Sequence, residues 1–383
     1  MLRLCNTKAM QIEHTVIPHE GNIIGFQIHQ AKSYFLLEYG SVQILSCFLN
    51  APSWYIKLPI LVDMMQCHEN AIFLAGLQYK TAQRIQHRHM LLALSHDGKL
   101  LWQYKGNLGK EQIWAIVPNP KGGVFALLVQ PKQDQHIFRF LSFSKEGDIL
   151  WEQRLSNIVL QTHYCGPNKI PPKLWLTNDL LLCVGAFCRP TSSSAISILS
   201  LEQDSGMEVH FYNSPRTNAQ YTQSILSSNQ LLAVAWQPYG HKNPNTGISL
   251  FNSKQECVGE YQSYLHCWNA MRWMGKSLLI AGKSRSQKQH PSIERIGSKK
   301  YYQEFKAHHL YGFTQVSSTH CCYLHQGERK RQLILRDLST FQATILEEGN
   351  QIGHPFLSEG PFFQGFAYSK NDEQSVLVRI YPR

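Results

Sequence analysis

The chain has 383 residues, of which 43% are hydrophobic, 11% aromatic and 16% charged, and its 37 Lys+Arg against 26 Asp+Glu leave a formal charge of +11. That much apolar and aromatic material excludes a disordered chain, and so little charge without a sustained heptad excludes a coiled coil. The most apolar stretch, residues 180–188, has the length of a strand and falls far short of the roughly 20 residues that cross a bilayer, so no membrane partner is expected.

In chain order, the first residues (Met1 to Asn6) hold no apolar run of signal-peptide length, and a cytoplasmic protein is expected. Residues 10–17 alternate apolar and polar, the pattern of a half-buried strand. From there a short apolar run recurs at 34–37, 72–77, 124–129, 180–187, 231–236, 278–281, 322–324 and 362–367. After most of these runs comes a hairpin. Residues 91–102 and 140–151 align without a gap: Asp97-Gly98 matches Glu146-Gly147, and Trp102 matches Trp151. An acidic residue followed by Gly between apolar strands is a strong hairpin signal, because Gly tolerates the positive φ of a tight turn.

Weaker copies follow at Asp204-Ser205-Gly206, Asn252-Ser253, Gly297-Ser298 and Asp337, and an earlier one lies at Asn50. With Phe35, Phe73, Phe125, Leu181, Leu232, Leu279, Tyr323 and Phe363 as anchors, the steps are 38, 52, 56, 51, 47, 44 and 40 residues. Repeats of roughly 40–50 residues with four short strands each are propeller blades.

The fold expected is therefore all-β: a single β-propeller of four-stranded blades over residues 1–383, with eight blades, and seven as the alternative. The blades would span about 18–60, 61–111, 112–157, 158–218, 219–266, 267–311, 312–353, and 354–383 completed by 8–17. In the third blade, strands are expected at 113–117, 124–129, 137–143 and 149–154. The N-terminal strand would close the last blade, which removes two exposed sheet edges.

The Asp97-Gly98 and Glu146-Gly147 hairpins, each with Trp four residues after its Gly, resemble those of the quinoprotein-like and WD-repeat-like β-propellers. The resemblance covers most of the chain as architecture and residues 91–154 as motif, while the Gly-His and Trp-Asp pairs of regular WD repeats are absent. It implies an interaction platform more than an enzyme. Trp102, Trp151 and Trp54 are expected to pack between blades.

The segments joining second to third strands are basic. They contain Lys80, Arg84, Arg88, Lys132, Arg189, Lys242, Lys283, Arg285, Lys288, Arg329, Lys330, Arg331 and Lys370, against Asp134, Glu328, Asp372 and Glu373. That excess of nine supplies most of the net charge and would lie on one rim, where focused positive potential attracts acidic proteins or phosphate backbones. The partner-binding residues expected are Lys80, Arg84, Arg88, Lys283, Arg285, Lys288, Arg329, Lys330 and Arg331. The partner expected is an acidic protein in a cytosolic complex. Nucleic acid is the alternative, although these segments have almost no aromatics for stacking beyond Tyr79 and Tyr239. The poorly patterned stretches 160–173 and 239–247 are further contact points.

No catalytic residue and no cofactor are expected, since no G-x-S-x-G elbow or Walker loop occurs. A propeller hydrolase or a small-ligand binder using the central channel remains the second alternative. His320, Cys321, Cys322 and His325 make the one compact His/Cys group, but zinc sites want two such pairs, so no metal is expected. The ten cysteines show no C-x-x-C and read as small buried hydrophobes in a reducing compartment.

Overall fold

The computed structural model is built of antiparallel strands, and it describes residues 3–7, 10–18, 22–30, 32–39, 41–48, 52–79, 87–107, 109–132, 135–160, 170–190, 192, 196–216, 219–238, 247–274, 276–284, 291–297, 301–304, 309–315, 320–326, 330–337, 342–349, 356–357, 365–371 and 374–382. Two compact units divide the chain: residues 1–57 with 262–383, and residues 58–261.

The first unit opens with β1 (Arg3–Thr7) and β2 (Met10–Pro18). The sheet β3 (Asn22–His29), β4 (Lys32–Tyr39), β5 (Val42–Phe48) and β6 (Pro52–Lys57) follows. The second unit holds four sheets. The first is β7 (Leu61–Cys67), β8 (Ile72–Tyr79), β9 (His87–Leu94) and β10 (Leu100–Lys105). The next is β11 (Gln112–Pro118), β12 (Val124–Lys132), β13 (Gln135–Phe143) and β14 (Ile149–Leu160).

In the third sheet of this unit, β15 (Lys173–Leu176) and β16 (Leu180–Gly185) are followed by the two-residue β17 (Phe187–Cys188), which leaves to pair with the end of β14. The sheet is then completed by β18 (Ser197–Glu202) and β19 (Glu208–Asn213). The fourth is β20 (Ala219–Leu226), β21 (Leu232–Pro238), β22 (Gly247–Phe251) and β23 (Cys257–Gln262). The first unit resumes with β24 (Leu265–Met274), β25 (Ser277–Ser284), β26 (Pro291–Ile296) and β27 (Tyr301–Glu304). Another sheet consists of β28 (His309–Gln315), β29 (His320–Gln326), β30 (Arg331–Asp337) and β31 (Ala343–Gly349). The last strands are β32 (Phe356–Leu357), β33 (Gly365–Asn371) and β34 (Gln374–Pro382).

Seven sheets are thus four-stranded blades, one of them passing over β17, against the eight expected. Among the described residues the final repeat has two full strands, β33 and β34, and the two-residue β32. Its sheet takes strands from both ends of the chain in the order β1-β2-β34-β33-β32, with Met10 opposite Pro382 and Pro18 opposite Gln374.

The packing explains why the second strand of each blade reads as continuously apolar. Along β12, Phe125, Leu127 and Val129 face one core with Phe138, Phe140, Leu181, Cys183 and Leu199. Val124, Ala126 and Leu128 face another, with Phe73, Leu91, Ala93 and Phe143. Successive side chains leave a strand on opposite faces, so a strand sandwiched between two sheets must be apolar at every position. On β16 the same division recurs, Leu181 and Cys183 on one side and Leu182 and Val184 on the other. Burying one such Phe or Leu stabilises by about 1.5–3 kcal/mol, and the stacking repeats this along the second unit. In the first unit Ile23, Phe26, Phe35, Leu37 and Phe48 form a core of the same kind.

Three hairpins between third and fourth strands, in the second, third and fifth blades, follow one design. Ser95 N–H donates to Lys99 O at 2.8 Å and Gly98 N–H to Ser95 O at 3.0 Å; the Ser144, Gly147 and Asp148 set repeats this at 2.8 and 3.2 Å. The turn is therefore a three-residue loop whose last member is left-handed, rather than a two-residue Asp-Gly turn. The Ser95 hydroxyl accepts from Asp97 and Lys99 N–H, and the Ser144 hydroxyl from Glu146 and Asp148 N–H. In the fifth repeat Asn252 Oδ1 does the same for Lys254 and Glu256.

Candidate partner-binding site

Of the nine basic residues expected to bind a partner, Lys80, Arg84, Arg285, Lys288 and Arg329 lie outside the described residues, as do stretches 161–169 and 239–246. Three others stand on strands, not in loops, because the second and third strands run further than their apolar centres suggest. Arg88 sits on β9 opposite Gln78, half-buried, with its Nε enclosed. Lys283 sits on β25 opposite Pro291. Arg331 opens β30, opposite Gln326 and Gly349. Lys330 precedes it, exposed, and donates to Glu348 Oε1 at 2.7 Å, while Gln332 Nε2 reaches Glu348 Oε2 at 2.6 Å. Those hydrogen bonds hold the Glu348 carboxyl below the usual carboxylate range and raise the Lys330 ammonium.

The same partnership of a cation with a fourth-strand carboxylate recurs along the chain. Arg189 pairs with Glu208 and lies 4.7 Å over the Phe211 ring. Arg216 pairs with Glu260 at 2.6 Å and lies 3.9 Å over Trp236. Guanidinium planes stack on aromatic faces while keeping their ion pairs, which fixes these side chains against their own blades. Part of the positive charge counted in the sequence is therefore already answered within the fold.

The strongest polar constellation is one that sequence reasoning missed. Arg139, on β13, gives Nε and one terminal nitrogen to Glu152 at 2.8 and 2.9 Å and the other terminal nitrogen to Glu111 at 2.9 Å and the Tyr104 hydroxyl at 3.2 Å. The side chain of Glu111 is 3% exposed, and its second oxygen accepts from Asn107 N–H at 3.2 Å. The Arg139 bonds hold the Glu152 carboxyl low, and Glu152 above all raises Arg139. The four residues come from β10, the segment before β11, β13 and β14, so no spacing in the sequence unites them. The cluster fastens neighbouring blades.

Inner strands bring a second set. β11 lies against β7 and β15, and β15 against β20. On them stand Asp63, whose carboxyl is raised by desolvation, and Trp114, whose indole donates to Gln112 Oε1 at 2.9 Å. Trp175 donates to Ser224 Oγ at 2.9 Å, and that oxygen lies 3.0 Å from the Tyr221 hydroxyl. Burial pushes Tyr221 up, so it stays a neutral phenol. Asp63 and Trp114 fall at register slips in their strands, where an added residue re-aims a side chain. Among the described residues no group of three or more His, Cys, Asp and Glu side chains is placed to hold a metal ion. On β29, Cys322 is buried and Cys321 is its neighbour along the strand.

Trp102 and Trp151 do pack between blades. The Trp102 indole donates to Lys145 O at 3.0 Å and covers Gly147 of the next hairpin; Trp151 donates to Gln203 O at 2.7 Å and covers Gly206. Trp54 lies 6.2 Å from Tyr34 of its own sheet.

A chain of four-stranded antiparallel blades, two of them docked on the next through a fourth-strand Trp, is a β-propeller, all-β with seven four-stranded blades. Among solved structures it is similar to the Dos1 propeller, at 8% identity and TM-score 0.62 over 95% of this chain and 94% of that one. It is also similar to a europium-containing methanol dehydrogenase, at 10% identity and TM-score 0.54 over 99% and 93%. Hsv2 of Kluyveromyces lactis matches at 11% identity and TM-score 0.51 over 86% and 99%. Likeness at such identities is likeness of fold alone. No family model and no curated protein matches the sequence. Among the described residues, no helix is long and apolar enough to cross a membrane.

Proposed function

We propose that the protein is a non-catalytic propeller scaffold that docks an acidic partner protein within a cytosolic assembly, through the basic segments joining second and third strands. The observation that carries this reading is the charge placement: thirteen Lys and Arg against four acids, in those segments and on the strand ends beside them, account for most of the +11. Lys330 and Arg189 show how such cations are held, each braced by one carboxylate of its own blade and still exposed. We further propose that the sheet made from both chain ends closes the ring.

The test is a charge reversal. Lys283→Glu, Arg285→Glu and Lys288→Glu together should weaken binding of a fluorescent poly-glutamate probe by at least about tenfold at low salt, with the melting temperature unchanged. Unaltered binding by the triple variant overturns the proposal. A duplex oligonucleotide that binds more tightly than poly-glutamate, with a steep fall in affinity on adding salt, assigns the face to nucleic acid instead.

A further inference from the structure

The outer strands of the second unit share a feature unrelated to the basic segments. Beside three of its four hairpins, pairing between third and fourth strands slips by one residue. On β10 the slip falls between Leu100 and Trp102, so that Leu101 is the added residue. On β14 Trp151 and Ile149 pair with consecutive residues, which makes Leu150 the addition, and on β19 His210 and Glu208 leave Val209. Val258 stands three residues after Gln255, as Leu101, Leu150 and Val209 stand after Gly98, Gly147 and Gly206. These four side chains are 49%, 55%, 52% and 55% exposed. Leu100, Ile149 and Met207 beside them are apolar and exposed as well.

One exposed Leu is ordinary; the same exposed apolar position in four successive repeats is not. A strand at the edge of a sheet is usually guarded by charge, because its unpaired backbone groups invite another strand. Here the added residue of each bulge is apolar. The neighbouring turns are acidic in a basic chain. Asp97, Glu146, Asp148, Glu202, Asp204 and Glu256, with Glu69 and Asp179 in the turns between first and second strands, stand against Lys99, Lys121, Lys145 and Lys254. Two of those lysines are already paired, Lys121 with Asp204 at 2.6 Å and Lys145 with Glu146 at 3.6 Å. The two kinds of turn share one end of their sheets: Lys121 reaches Asp204 across blades, and Gln203 Nε2 donates to Thr177 O. An acidic border repels nucleic acid and anionic lipid, and it attracts cationic protein.

We propose that this row of exposed apolar residues, three of them at bulges, bordered by acidic turns, docks an extended segment of a partner protein in which Lys or Arg alternates with Leu, Ile or Val. Apolar side chains of the segment would cover Leu101, Leu150, Val209 and Val258, and its cations would meet the turns. Alternation suits a strand, which sends its two kinds of side chain to opposite sides.

The experiment uses the full chain and a fluorescein-labelled nine-residue peptide of alternating Lys and Leu. Control peptides carry Glu in place of Lys, or Ser in place of Leu. Saturable binding of the Lys-Leu peptide is expected, with at least about tenfold weaker binding of either control. A variant with Leu101→Ser, Leu150→Ser, Val209→Ser and Val258→Ser should lose about tenfold in affinity while keeping its unfolding midpoint, since all four side chains are exposed. Asp97→Asn with Glu146→Gln should weaken binding at low salt and matter little at high salt. Equal affinity for the Lys-Leu and Lys-Ser peptides, or undiminished binding by the fourfold Ser variant, overturns the proposal. So does sedimentation showing a dimer that the Ser variant converts to monomer, which would give the row to a second copy of the chain.

Discussion

Arg139 shows what a single side chain does in this fold. It is the sole described partner of Glu111 among charged groups, and the Glu111 carboxylate is almost wholly out of water. Removing one member of a buried ion pair leaves the other charge uncompensated, which costs about 3–5 kcal/mol. Arg139→Ala is expected to lose stability in that range near neutral pH, read from the urea midpoint. Glu111→Gln, which removes the buried charge with the shape retained, should lose less. The pH dependence has a definite sign. Glu152 has its folded pKa below its ordinary 4.5, chiefly through the Arg139 hydrogen bond. Its contribution is therefore complete above 4.5 and disappears as pH falls through the lowered value. Wild type should show an acid loss of stability below pH 4.5 to which Glu152 contributes, and Arg139→Ala should reduce that limb. An identical acid limb in both proteins would remove Arg139 as its cause. None of this was legible in the sequence: Tyr104, Glu111, Arg139 and Glu152 look like ordinary surface residues until blades stack.

At the level of the element, the hairpin with its docked aromatic was partly legible. Gly98 and Gly147 four residues before Trp102 and Trp151 marked the hairpins, yet each Trp serves the Gly of the following blade, a pairing invisible within one repeat. Gly147, at φ +93°, has no room for a side chain: a Cβ there would stand 2.6 Å from Trp102 Cγ. Strain at positive φ together with that collision predicts a loss of about 1–3 kcal/mol for Gly147→Ala, measured by chemical unfolding. The fourth and fifth blades use a substitute. His210 occupies the place of Trp and Gln255, at φ +62°, the place of Gly; His210 Nδ1 and Gln255 Oε1 are 2.9 Å apart. The pair preserves the contact as a hydrogen bond between side chains, and it breaks the motif that a reader of sequence follows. His210→Trp alone should destabilise, because Gln255 fills the space the indole needs. With Gln255→Gly added, the Trp–Gly contact is installed and the left-handed residue becomes Gly. The double variant should exceed the sum of the singles by about 0.5–3 kcal/mol in a double-mutant cycle, and simple additivity would show that the two positions do not dock.

For the whole molecule, legibility followed the physics of the second strands. Being covered on both faces, they read as apolar runs regardless of what surrounds them, and all eight anchors but Phe363, which lies outside the described residues, fall on described strands. The count of four-strand blades failed at the C-terminal end, where the described residues of the last repeat hold two full strands and the two-residue β32. Association across hundreds of residues leaves only the alternation of 10–17 as its trace, and that strand is β2, paired along its whole length with β34. The nine facing pairs include Ile12 with Ile380 and Val16 with Val376. Without β2, the backbone groups of β34 on that side become a free sheet edge, open to pairing with other chains. A chain lacking residues 1–18 is thus expected to melt lower and to aggregate on heating. Since 1 kcal/mol shifts the midpoint by roughly 2–4 °C in a unit of 150–250 residues, losing a nine-residue strand should lower it by several degrees. A synthetic peptide of residues 10–18 added in trans should restore the midpoint in a concentration-dependent way, because it binds only the folded edge. A scrambled peptide should not. A truncated chain that melts with wild type, or a scrambled peptide that restores it equally well, would leave β2 a passive appendage and the ring without its proposed clasp.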